Sequence, residues 1–132
     1  MKDDVLILKE VAKLRDIVGL GVCVGIYQTC NGVQFKNMPL SDFFNFLNLK
    51  LQKGSVCIMP REKQRICYMV YAVSQTIDPV NFARHWVEGV LELCNISSEY
   101  YDKHHKDVLS VTATIKNKEF LNLITDAIKR GL

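Results

Sequence analysis

The dipeptide Asn31-Gly32, set between two stretches of alternating polarity, is the strongest local constraint in this chain. Asn-Gly supplies two residues that tolerate positive φ, which the type I′ turn requires, and that turn matches the twist of paired strands. The sequence therefore predicts a β-hairpin of residues 22–30 and 33–38. A two-residue loop fixes its register: Cys30 faces Val33, Gln28 faces Phe35 and Ile26 faces Asn37. Val22, Val24, Ile26, Cys30, Val33 and Phe35 then share one face, interrupted by Gln28 and Asn37. Tyr27, Thr29, Gln34 and Lys36 share the other, with Cys23 as its apolar exception. One apolar and one polar face in a single register describe a half-buried sheet. Gly25 inside the first strand marks a bulge or a close approach by another backbone.

The remaining elements are placed around this hairpin. Ile7, Leu8, Val11, Leu14 and Val18 recur at helical spacing, which predicts a first helix from Asp3 or Asp4 to Val18, ended by Gly19 and Gly21. Ser41 caps a short, mostly apolar helix over residues 42–51. Residues 55–59 and 65–75 read as a second hairpin around a polar loop at 60–64. Ile66, Tyr68, Val70 and Ala72 alternate with Cys67, Met69, Tyr71 and Val73. Both sets are apolar, the pattern of a central strand covered on two sides. Asp78-Pro79 starts a helix that runs to Cys94. Residues 99–105 form a helical turn, and residues 107–115 a last strand with Leu109, Val111, Ala113 and Ile115 toward the core. Residues 118–129 form a final helix whose Lys129 and Arg130 suit its C-terminal dipole. The expected order, α-β-β-α-β-β-α-β-α, is an α+β fold: an antiparallel sheet with helices packed mainly on one face, in a single domain over residues 1–132.

Composition excludes several classes of function. A chain of 132 residues, 48% hydrophobic, buries roughly two-thirds of its unfolded surface and needs no metal or disulfide to fold. The net charge of +3 is dispersed, with Lys9 beside Glu10, Arg15 beside Asp16 and Arg61 beside Glu62. Phosphate-backbone binding uses a concentrated basic stripe, so nucleic acid is not an expected partner. The longest apolar run, residues 66–73, is far short of the roughly 20 residues that span a bilayer. Two aspartates ahead of Val5 do not fit a secretory signal. With an odd count of five cysteines, the expectation is a cytoplasmic protein with reduced, mostly buried thiols.

No catalytic or cofactor motif is present. Gly19-Leu20-Gly21 ends a helix and precedes a strand, the reverse of a dinucleotide loop. His104 and His105 are adjacent, whereas helical metal sites place histidines four residues apart. The segment Tyr100-Tyr101-Asp102-Lys103-His104-His105-Lys106-Asp107 therefore reads as a solvated loop, and no metal or cofactor is expected. His85 is expected on the exposed side of its helix. The widest apolar arc lies on the helix from Pro79 to Cys94, where Phe82, Trp86, Gly89 and Leu93 extend the core face. Either another element of the same chain covers this edge or it is a partner surface; aromatics are favoured interface anchors, and in the second case these four residues are the candidate interface.

Residues Phe43 to Cys94 also carry a comparison. The helix Phe43-Phe44-Asn45-Phe46-Leu47-Asn48, then residues 55–59 and 65–75, then a Pro-started helix, resembles the middle of small bacterial secretion-chaperone-like folds. The resemblance covers about residues 4–94, rests on element order and implies dimerisation and binding of partner polypeptides. The expected function is a non-enzymatic protein-interaction or regulatory module, a homodimer or a binder of a partner polypeptide. One alternative is a small-molecule or nucleotide-signal binding protein with a pocket lined by Tyr27, Tyr68 or Tyr71; another is a small Cys/His-dependent enzyme.

Overall fold

The computed structural model describes Leu6, Ile7, Glu10 and residues 15–132. The first helix expected over residues 3–18 lies mostly outside the described residues; Leu6, Ile7 and Glu10 are helical, and Arg15 to Gly19 are not. Six helices follow: α1 (Leu20–Cys30), α2 (Leu40–Leu47), α3 (Lys63–Ser74), α4 (Val80–Cys94), α5 (Ser98–His104) and α6 (Ile115–Gly131), with a 3₁₀ turn at Asp107–Leu109 before the last. Among the described residues there is no strand and no sheet. The α+β fold and its antiparallel sheet are therefore corrected to an all-helical fold, and each expected strand has its own physical reason for the change.

The stretch expected to be the first hairpin strand is α1. Its buried residues, Val22, Cys23, Ile26 and Cys30, fit a period of 3.6 as well as Val22, Val24 and Ile26 fit a period of 2. Packing decides between them. Gly21 and Gly25 lie one turn apart on α1 and meet Ala127 and Gly131, one turn apart on α6. A Cβ on Gly25 would fall 2.8 Å from the Ala127 carbonyl oxygen, and one on Gly131 would fall 2.5 Å from the Val22 nitrogen. One on Gly21 would strike the Gly131 carbonyl oxygen. The two backbones thus touch along a seam of small residues, and the close approach signalled by Gly25 is made by a helix.

Asn31-Gly32 does turn the chain, as the end of α1 rather than the tip of a hairpin. Gly32 takes φ +77°, but Asn31 has φ −66°, so the type I′ pair is not formed. The Cys30 carbonyl accepts from the amides of Val33, Gln34 and Phe35 at 3.0–3.2 Å. Asn31 Oδ1 then accepts from the Met38 amide at 2.9 Å, and Tyr27 Oη donates to the Met38 carbonyl at 2.7 Å. What survives of the expected hairpins is two isolated bridges, one between Asn31 and Phe35 within the first and one joining the two. Lys36 N donates to Cys57 O at 2.9 Å and Met59 N to Gln34 O at 2.8 Å, pairing Phe35 with Ile58.

The doubly apolar stretch expected as a central strand is α3. Ile66, Cys67, Tyr68, Met69, Val70 and Val73 are buried all around it, because α4, α5, α6 and the 3₁₀ turn surround it. An apolar run on every side marks a buried helix as readily as a buried strand. The expected last strand, residues 107–115, is the 3₁₀ turn and a connector. Ser110 Oγ accepts from Thr112 N at 3.2 Å and Thr114 Oγ1 from Asn117 N at 3.2 Å. Serine and threonine side chains offer the backbone local partners in place of a sheet ladder, and Thr114 caps α6.

The core is built on edge-to-face rings. Phe35, Phe43 and Phe46 meet at 5.4–5.7 Å, with Tyr27 against Phe43 at 5.5 Å. Buried Asn48 pairs with the chain ahead of α1: its Oδ1 accepts from Ile17 N at 2.6 Å and Val18 N at 2.9 Å, and its Nδ2 donates to Val18 O at 3.1 Å. Buried Glu62 joins three other parts. Gln34 Nε2 and Arg65 Nη1 each donate to it at 2.9 Å, and Lys116 Nζ lies 3.6 Å away.

The seam sets a test. Gly25→Val, which forces a branched side chain against the α6 backbone, is expected to lower the unfolding free energy by about 1–3 kcal/mol in urea titrations. Gly19→Ser, at a position with open space ahead of α1, is expected to shift it by less than about 0.5 kcal/mol.

Candidate functional site

The apolar edge of α4, read either as covered by the chain itself or as an interface, is covered by the chain itself. Trp86 is 0% exposed, and its indole N–H donates to the Leu47 carbonyl at 2.6 Å. Gly89 receives the Leu49 side chain: a Cβ there would lie 2.9 Å from Leu49 Cδ2. Leu49 takes a left-handed φ of 60° to reach that seat. Leu93 is buried and Phe82 half-buried. α2 and the residues after it thus occupy the place expected for a partner. Trp86→Ala is expected to cost about 3–5 kcal/mol of stability, measured by denaturant unfolding, rather than to release a partner.

The three tyrosines expected around a pocket are not brought together. Tyr27 closes on Met38 and Phe43, at the α1–α2 side. Tyr68 and Tyr71 are neighbours on α3 at 6.4 Å, and Tyr68 is spent on the core against Phe120 at 6.5 Å. Burial raises the Tyr68 phenol above its ordinary pKa. Tyr71 borders a shallow groove of about 420 Å³ between α3, α4 and α5.

Residues 100–107, expected as a solvated loop overlapping a helical turn at 99–105, hold the end of helix α5 (Ser98–His104) and the start of the 3₁₀ turn. Ser97 Oγ caps α5 by accepting from Tyr100 N at 3.1 Å. Tyr101 is buried and stacks on His105 at 4.5 Å with 12° between the rings, while His105 Nδ1 lies 2.7 Å from the Tyr101 carbonyl. Tyr100 packs on His104 at 4.4 Å. His104 Nδ1 sits 2.6 Å from Asp107 Oδ2, which also accepts from Gln64 Nε2 at 2.9 Å. Those two hydrogen bonds hold the Asp107 carboxyl below the usual carboxylate range, His104 contributing most. His85, expected at the surface, is buried with Nδ1 3.7 Å from Glu88.

Beside this cluster a cleft of about 580 Å³ opens between the start of α3 and α5. Met59, Pro60 and Tyr100 give it apolar walls, and Arg61, Lys63 and His104 line it with cationic or protonatable groups. Next to it in the chain, the connector into α6 presents large apolar side chains to solvent. Leu109 is 46% exposed, Ile115 76% and Val111 91%. These three were expected to face the core, which instead receives Val108. The sequence signal that marks them is the run of Ser110, Thr112 and Thr114 between them.

Thiol chemistry has little support. Burial pushes Cys23 and Cys67 up to about 12, and it pushes Cys30 and Cys94 further. A nucleophile needs the opposite shift. Cys57 is exposed, and none of the five forms a disulfide. Among the described residues no group of three or more His, Cys, Asp and Glu could hold a metal ion. No described helix is long and apolar enough to cross a membrane. A disulfide-exchange reagent at mildly alkaline pH is expected to modify Cys57 rapidly and the other four thiols only at the rate of unfolding. Fast modification of two or more in the native protein would contradict this burial.

No protein-family model, curated protein or solved structure matches the chain. The element order that carried the resemblance to bacterial secretion chaperones is not that of the structure, which has helices in place of the sheet.

Proposed function

We propose that the chain is a protein-interaction module that docks a polypeptide on the connector between the 3₁₀ turn and α6. The observation that supports this reading is the exposure of Leu109, Val111 and Ile115 within seven residues. Clustered exposed apolar side chains on a soluble surface mark contact sites for other proteins. The connector is anchored at both ends, by buried Val108 and by the Thr114 cap of α6. A patch held by a rigid frame loses little entropy on binding. The partner surface moves here from Phe82, Trp86, Gly89 and Leu93, which the chain uses internally.

The partner to test first is a second copy of the chain. Val111→Asp with Ile115→Asp is expected to leave stability within about 0.5 kcal/mol, since both side chains are exposed. Sedimentation equilibrium should then show self-association in the wild type and a monomer in the double variant. If the wild type is itself monomeric, a photocrosslinking residue in place of Val111 should capture one defined polypeptide that the same residue in place of exposed Lys53 does not. A monomeric chain that gives no adduct specific to position 111 overturns the reading.

A further inference from the structure

The cleft between the start of α3 and α5 has a charge pattern that the interaction patch does not explain. Arg61, Lys63 and His104 line one concavity, and no aspartate or glutamate does. The intervening Glu62 is buried and engaged by Gln34, Arg65 and Lys116. Its charge is therefore compensated away from the cleft. Asp107 holds His104 through Nδ1, which leaves Nε2 as the ring nitrogen for a ligand. Lys63 Nζ is stationed 5.4 Å over the Tyr100 ring, a cation–π placement. Arg61 holds φ +67°, a left-handed conformation that costs a non-glycine residue of order 1–3 kcal/mol and clusters at ligand sites. α3 begins here with Glu62 as its N-cap residue, so the positive end of the helix is met by that carboxylate and the cationic character of the cleft comes from its side chains.

We propose that this cleft binds a small organic anion: a phosphate or carboxylate carried on a flat apolar body. The anionic group is matched by Arg61, Lys63 and His104, and the flat body by Met59, Pro60 and Tyr100. The volume of about 580 Å³ lies within the range of small-molecule sites and admits a ligand of nucleoside monophosphate size. The inference does not depend on the interaction patch, because neither uses the other's residues.

The test uses adenosine monophosphate, adenosine and inorganic phosphate as probes, followed by amide NMR shifts and calorimetry on the full chain. Adenosine monophosphate is expected to move the signals of residues 58–64 and 100–104. It should bind at least tenfold more tightly than adenosine or phosphate alone, and more weakly as salt rises. The double variant Arg61→Ala, Lys63→Ala, whose side chains are exposed, should fold normally and lose at least tenfold in affinity. Lys36→Ala, outside the cleft, should lose none. Absence of shifts with all three probes at millimolar concentration, shifts confined to other residues, or unchanged affinity in the double variant each overturns the inference.

Discussion

The fold depends on the contact between the glycine edge of α1 and the small-residue edge of α6. Gly21 and Gly25 meet Ala127 and Gly131 so closely that a methyl group at Gly21, Gly25 or Gly131 would collide with opposing backbone. Two helices can approach in this way only where both lack side-chain bulk at four-residue spacing. The seam fixes α6 beside α1, and the other contacts of α6 follow from that position. Phe120 reaches Tyr68 on α3, Asn117 Nδ2 donates to Gln64 at 3.1 Å, and Lys116 approaches Glu62. α3 is thereby enclosed, which is why it can be apolar on every side.

The parts of the fold that were legible in the sequence are those with strong local signals. The helix ending at Cys94 is observed as α4, stopped by Asn95 in a left-handed conformation at φ 56°. The short phenylalanine-rich helix and the final helix are observed as α2 and α6 within a few residues. The strands failed for a shared reason. Ile66 to Val73 satisfies both the strand and the helix period because a surrounded stretch has no polar face to reveal its pitch, and Val22 to Cys30 does so because Val22, Ile26 and Cys30 fall on one face in either geometry. Only contacts far along the chain choose between them. Gly25 announced such a contact, but not the shape of the element bearing it.

The candidate sites divide in the same way. Trp86 was visible as a residue of consequence, but sequence cannot say whether an aromatic anchors a partner or its own core; Leu47 and Leu49 settle it here. Leu109, Val111 and Ile115 were misplaced inside because alternation was read as a strand, when Ser110, Thr112 and Thr114 were satisfying local backbone groups. The cleft of Arg61, Lys63 and His104 draws on two separate helices, and no spacing along the chain could bring them together. Glu62 stands beside Arg61 in the sequence, but its partners in the fold are Gln34, Arg65 and Lys116.

The seam between α1 and α6 also bears on how the chain reaches this structure. Its two halves are separated by a loop of about a hundred residues, whose closure is entropically costly and late compared with neighbouring helix pairs. Until α6 arrives, α1 carries two glycines, each a penalty of about 1 kcal/mol in a helix, with nothing to offset them. Residues 22–30 carry no charge and include two valines and an isoleucine, residue types with strand propensity. In the folded chain α6 lies over the glycine edge of α1, so the last helix covers one side of an uncharged segment that would otherwise be open to other chains.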